Sequence, residues 1–132
     1  MPKYEQILTG RFDELLNILD RAAKGNPSVS LSEQSDVTIS DVRMALRVYQ
    51  RFSLVSGNRL TLALSLIGRE NRMFLCATCT GGRDLPHGKL RVQGEEEFLQ
   101  SIKRACREYM AENGAAAEDD RRQDVPLREG AQ

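Results

Sequence analysis

The chain has 132 residues, 40% apolar and 29% charged, with 19 Lys+Arg against 19 Asp+Glu, three cysteines, one histidine and no tryptophan. This is the composition of one ordinary soluble domain. Zero net charge removes the bulk attraction to nucleic acid or anionic membrane that a strongly basic chain would have. Three thiols in a chain long enough to bury a core without covalent staples argue against a disulfide framework.

The first residues, Met1 to Gln6, contain no apolar leader. The longest apolar-rich run, Leu60 to Ile67, is far short of the ~20 residues a spanning helix needs, so the expected setting is cytoplasmic, with no membrane partner. Tyr4 to Thr9, with Ile7 and Leu8, is too short for a helix and reads as a first strand. From Arg11 to Lys24, Phe12, Leu15, Leu16, Leu19, Ala22 and Ala23 recur at three and four residues until Gly25-Asn26-Pro27 stops the pattern, which predicts an amphipathic helix. Ser28 to Ser32 alternates strictly and predicts a half-buried strand with Val29 and Leu31 inward.

Residues 42 to 55 fit either a helix stripe or a strand. The strand is preferred because Leu60, Leu62, Leu64 and Leu66 alternate just beyond Ser56-Gly57-Asn58, a loop suited to a hairpin. A three-residue loop pairs Leu54 with Leu60, Phe52 with Leu62 and Val48 with Leu66, placing the large aliphatics on one side. Arg72 to Thr80 continues the meander, with Met73, Leu75, Ala77 and Cys79 joining the leucines. Glu95 to Ala111 carries Phe98, Leu99, Ile102, Ala105, Cys106, Tyr109 and Met110 at helical spacing, with glutamates at its start and Lys103, Arg104 and Arg107 toward its end.

The expected fold is therefore α+β: a single antiparallel sheet in β-α-β-β-β-β-α order with both helices on one face. A single domain spans 1–112. Residues 113–132, with five acids, three bases and few apolar groups, read as a disordered tail, and without them the domain carries 16 bases and 14 acids.

Lys3-Tyr4-Glu5-Gln6-Ile7-Leu8-Thr9-Gly10, Arg47-Val48-Tyr49, Gly57-Asn58-Arg59 and Thr80-Gly81-Gly82 resemble a family of small proteins of unknown function from Gram-positive bacteria, over roughly residues 3 to 110. The element order is also similar to the TATA-binding-protein-like fold class, which includes DNA-bending domains and helix-grip ligand binders. A likeness of topology supplies no functional residues.

Cys76-Ala77-Thr78-Cys79 is the one motif a pattern search flags. On a strand, residues three apart point to opposite faces with Cα atoms ~10 Å apart, beyond the ~7 Å limit for a disulfide and awkward for one metal ion, so no metal site is expected. His87, in the turn-rich Asp84-Leu85-Pro86-His87-Gly88, could act as a base beside Asp84 with Cys76 as nucleophile, yet no oxyanion-hole or activated-nucleophile signature accompanies it. Gly81-Gly82-Arg83 lacks the Lys-Ser/Thr and following helix of a phosphate loop.

The more informative feature is Arg43, Arg47 and Arg51 with Tyr49, which at strand spacing share one face. Together with Ile67, Phe74 and Cys76 they are expected to form the uncovered face of the sheet, suited to a second copy of the chain or to a small anionic or amphipathic ligand. Two classes of function follow: a non-catalytic binding or interaction module without a cofactor, which forms a homodimer or binds an unknown small ligand or protein, or a small thiol-dependent enzyme using Cys76 with His87. The first is preferred, and no nucleic-acid partner is expected, because the field around the arginines is too weak.

Overall fold

A computed structural model describes residues 2–52, 57, 59–81 and 88–113, the stretch 88–94 by its backbone. The described elements are β1 (Lys3–Thr9), α1 (Phe12–Ala23), β2 (Val29–Ile39), β3 (Val42–Phe52), β4 (Arg59–Arg69), β5 (Arg72–Gly81) and α2 (Gly88–Glu112). The strands form one sheet in the order β1-β5-β4-β3-β2, every neighbour antiparallel. The α+β architecture expected from the sequence is present. The expected tail beyond Asn113, and the expected loop residues Ser56, Asn58, Gly82, Arg83, Asp84, Pro86 and His87, lie outside the described residues.

The helix pattern of α1 buries Leu15, Leu16, Leu19 and Ala23, while Asp13 and Glu14 in its first turn and Arg21 in its last suit the helix dipole. In α2, Phe98, Leu99, Ile102, Ala105, Cys106 and Tyr109 are buried at the predicted spacing. This helix starts at Gly88 rather than Glu95, so Glu95, Glu96 and Glu97 sit two turns in, and neither its first turn nor its last carries the charges expected there. Both helices close over Leu8, Leu62, Leu64, Leu66, Met73, Leu75, Ala77 and Cys79, the apolar set read from the alternation of β4 and β5.

Two departures from the expected pairing reorganise β2 and β3. Phe52 pairs with Arg59, Tyr49 with Leu62 and Ala45 with Leu66. Six residues, not three, therefore separate the paired ends of β3 and β4. Changing an odd interval to an even one turns the whole of β3 over, because side chains alternate with period two. The expected partnership of Val48 with Leu66 is corrected: Arg43, Ala45, Arg47, Tyr49 and Arg51 share the helix-covered face with the leucines, and Met44, Leu46, Val48 and Phe52 point the other way.

The second departure is in β2, which runs to Ile39 rather than ending near Ser32. Its register slips between Leu31 and Glu33, leaving Ser32 as an extra residue. The slip switches parity within the strand: Val29 and Leu31 face the helices, whereas Val37 and Ile39, opposite Met44 and Val42, face away.

Two close approaches fix the helices to the sheet. Gly10 has φ +155°, and a Cβ there would collide with the Tyr109 ring and hydroxyl, while the neighbouring Arg11 N–H donates to that hydroxyl at 3.0 Å. Gly68 leaves room for Phe12, whose ring would lie 2.6 Å from an added Cβ. The first glycine seats the C-terminal part of α2 against the β1–α1 turn; the second seats the start of α1 against β4.

Candidate functional site

The corrected register separates the seven residues expected on one surface. Ile67, Phe74 and Cys76 do lie on the uncovered face. Arg43, Arg47, Tyr49 and Arg51 lie on the opposite one, toward the helices. The physical reason is that an arginine or tyrosine can lay its apolar stem against a core while its polar end reaches the edge. Here β3 is next to the outer strand, where α1 and α2 cover the sheet only in part.

Three of these four have found a local use. Tyr49 is fully buried and its hydroxyl donates to Asp20 Oδ1 at 2.6 Å, while Lys24 approaches Asp20 Oδ2 at 3.2 Å. Burial, with the Asp20 carboxylate beside it, raises the Tyr49 pKa well above its ordinary value. Arg43 stacks on Phe12 with its guanidinium carbon 4.2 Å from the ring centre and pairs with Asp13 at 2.9 Å. That hydrogen-bonded guanidinium holds the Asp13 carboxyl below its usual range. Arg47 donates to the Leu46 carbonyl at 2.9 Å and to Asp36 Oδ1 at 3.0 Å, so the stripe's central arginine is spent on bracing β2. Arg51 differs. It lines a cleft of about 400 Å³ between the end of α1, the start of β2 and the middle of α2.

The uncovered face is the less polar of the two possibilities for β3. Following the pairing across all five strands, Ile7 lies beside Phe74, Phe74 beside Ile67, Ile67 beside Met44 and Met44 beside Val37. This is one unbroken apolar row from edge to edge. Its neighbours Ile39 and Val42 extend it at the β2–β3 hairpin, and Val37, Ile39, Val42, Phe52 and Ile67 are between 38% and 71% exposed. Ile7, Ile67 and Phe74 also line a depression of about 350 Å³ at whose margin stand Arg69, Glu70 and Arg72. Sequence reasoning missed Val42, Met44, Leu46 and Val48 here because their parity depended on the loop interval, and Val37 and Ile39 because the strand was read only as far as Ser32.

The thiols are placed by the same alternation. Cys79 is buried among the leucines and Cys106 in the core beside Tyr4, and burial pushes both thiols up to about 12. Cys76 is on the uncovered face opposite Glu5 and Ser65, and its thiol is likewise raised, by burial first and by the Glu5 carboxylate second. That is the reverse of the electropositive setting that makes a thiolate nucleophile. Among the described residues no group of three His, Cys, Asp or Glu side chains could hold a metal ion. Nor is any described helix long and apolar enough to cross a membrane.

A family model, the family of unknown function DUF6054, matches residues 1–110. The chain belongs to this family. The matched span includes every strand, α1 and nearly all of α2, so the apolar row and the arginine-lined cleft both lie within the DUF6054 portion of the chain. A search of curated proteins finds no match.

Proposed function

We propose that the protein is a non-catalytic interaction module whose uncovered sheet face packs against the same face of a second copy. The observation that carries this reading is the apolar row Ile7, Phe74, Ile67, Met44 and Val37, which crosses all five strands on the side that neither described helix covers. Within the row Val37 and Ile67 are exposed and Met44 and Phe74 half-exposed, and contiguous apolar side chains left in water are what a partner surface covers. The whole face, with polar positions such as Glu5, Ser65 and Gln50 included, is also of suitable size: five strands about 4.8 Å apart and some ten residues long at about 3.3 Å each cover roughly 800 Å², close to what each partner buries in a standard interface.

A second copy is favoured over a segment of the chain folding back. Beyond Asn113 the sequence has only Val125 and Leu127 as large apolar residues, too few to cover the row. A two-fold axis through the face brings apolar row against apolar row and leaves Lys3, Glu5, Arg69 and Arg72 toward its margins. A cytoplasmic setting in a Gram-positive bacterium, a non-enzymatic role without a cofactor, and no nucleic-acid or membrane partner belong to the same proposal.

Sedimentation velocity on wild type and Ile67→Lys tests it. Ile67 is 41% exposed, so a lysine there keeps its ammonium in water in the monomer but places it within the apolar row, on the middle strand of the sheet, in the proposed interface. Wild type is expected to sediment as a dimer at micromolar concentration, and the variant as a folded monomer with an unchanged circular dichroism spectrum. Wild type that stays monomeric up to hundreds of micromolar would overturn the self-association reading.

A further inference from the structure

The stripe of arginines on β3 leaves one member unexplained. Arg43 and Arg47 are paired with Asp13 and Asp36, whereas Arg51 lines the cleft of about 400 Å³ together with Arg21 from α1 and Arg104 from α2. None of these three guanidinium groups pairs with a carboxylate of another described residue. Three cations drawn from three separate elements to one concavity repel one another, a cost that a bound anion removes.

The remaining lining gives the ligand its second property. Phe98, Val29 and Ala105 supply apolar wall, and Asn26 supplies a neutral donor. The Asn26 carbonyl oxygen is already occupied by the Ser28 N–H at 2.9 Å and the Ser28 hydroxyl at 2.7 Å, which leaves its amide hydrogens for another acceptor. Opposing these are Glu97 and Glu108, also in the lining, and the carbonyl end of α1. Glu97 already has an interaction partner. The volume falls within the ~300–1,000 Å³ of ordinary small-molecule clefts.

We propose that this cleft binds a small organic anion with an apolar body, its carboxylate or phosphate held by Arg21, Arg51 and Arg104 and its body lying against Phe98. This site is on the helix side of the sheet, opposite the apolar row, and is independent of self-association. Guanidinium forks suit either planar carboxylate or phosphate oxygens, so the head group is left to the experiment.

The test is a ¹⁵N NMR titration of the full chain with phenyl phosphate and with benzoate. Inorganic phosphate serves as the head alone and benzyl alcohol as the neutral body. One of the two aromatic anions is expected to give saturable shifts centred on the amides of Asn26, Val29 and Ser101, with inorganic phosphate weaker and benzyl alcohol silent. Arg51→Ala and Arg104→Ala are each expected to weaken binding about tenfold, the usual loss for a charge-assisted contact. Arg104 is exposed on a helix, where alanine is well tolerated, so that variant stays folded. Arg43→Ala should leave binding unchanged, and Glu108→Gln should tighten it. Shifts that are absent at about 10 mM probe, scattered over the surface, or unaffected by both Arg51→Ala and Arg104→Ala would overturn the site.

Discussion

Tyr49 shows how much one side chain can decide. Its ring fills the core opposite Leu62, and its hydroxyl must then find a partner, because a buried phenol without one costs free energy. Asp20 is one turn from the end of α1 and provides that partner. Tyr49→Phe keeps the ring and removes the bond, so urea denaturation should show a loss of about 1 to 2 kcal/mol with an unchanged m-value. Buried ionisable groups also set an alkaline limit. The thiols of Cys79 and Cys106 move from an ordinary 9.0 to about 12, and Tyr4 from 10.0 to about 12, each chiefly by burial. The folded state therefore binds more protons than the unfolded one at high pH. Their contribution is fully present below pH 9 and declines as pH rises toward about 12. Urea midpoints are expected to be level from pH 7 to pH 8.5 and to fall steadily above pH 9. Cys106→Ala should make that fall shallower.

Among the secondary elements, the helices depend on glycines that make room for aromatic rings. Gly10→Ala puts a methyl where the Tyr109 ring and hydroxyl sit and strains a backbone that L-residues rarely adopt, so a loss of about 2 kcal/mol or more is expected. Gly25→Ala is the control. Its added Cβ would have its nearest neighbour, the Ala22 carbonyl oxygen, at 3.4 Å, and its melting temperature should change little. The strands were legible in varying degree for identifiable reasons. The even leucines of β4 and the odd set of β5 alternate against small or polar residues, and both faces came out as read. In β3 both parities are plausible: one set is aliphatic, and the other is arginine and tyrosine with long apolar stems. In β2 a single inserted serine reverses the faces, and alternation cannot anticipate such a slip.

For the whole molecule, the placement of the arginines bears directly on partners. Arg43 and Arg47 are committed to Asp13 and Asp36, and the total charge is zero. The protein is therefore expected to show no binding to duplex or single-stranded DNA at about 150 mM salt by fluorescence anisotropy, and Arg43→Ala with Arg47→Ala should not alter that result. Tight binding lost in the double variant would return the arginines to a nucleic-acid role. The same separation divides the surface into two kinds of site, an apolar sheet face and a polar cleft behind it, on opposite sides of one sheet.

Periodicity, helped by the shortness of Tyr4 to Thr9 and by the turn residues before Leu60, was enough to read the strand and helix order, the single antiparallel sheet, the helices' buried stripes and the inward faces of β4 and β5, because each depends on local spacing and on the need to bury an apolar side. The opposite facing of Cys76 and Cys79 followed for the same reason. The tertiary structure alone decided which side of β3 is covered. That choice rests on the interval between Phe52 and Arg59, on the bulge at Ser32 and on Asp20 waiting across the core for the Tyr49 hydroxyl, none of which is a property of β3 itself. It turned an expected arginine face into an apolar one and left Arg51 facing the helices, where Arg21 and Arg104 meet it in the cleft.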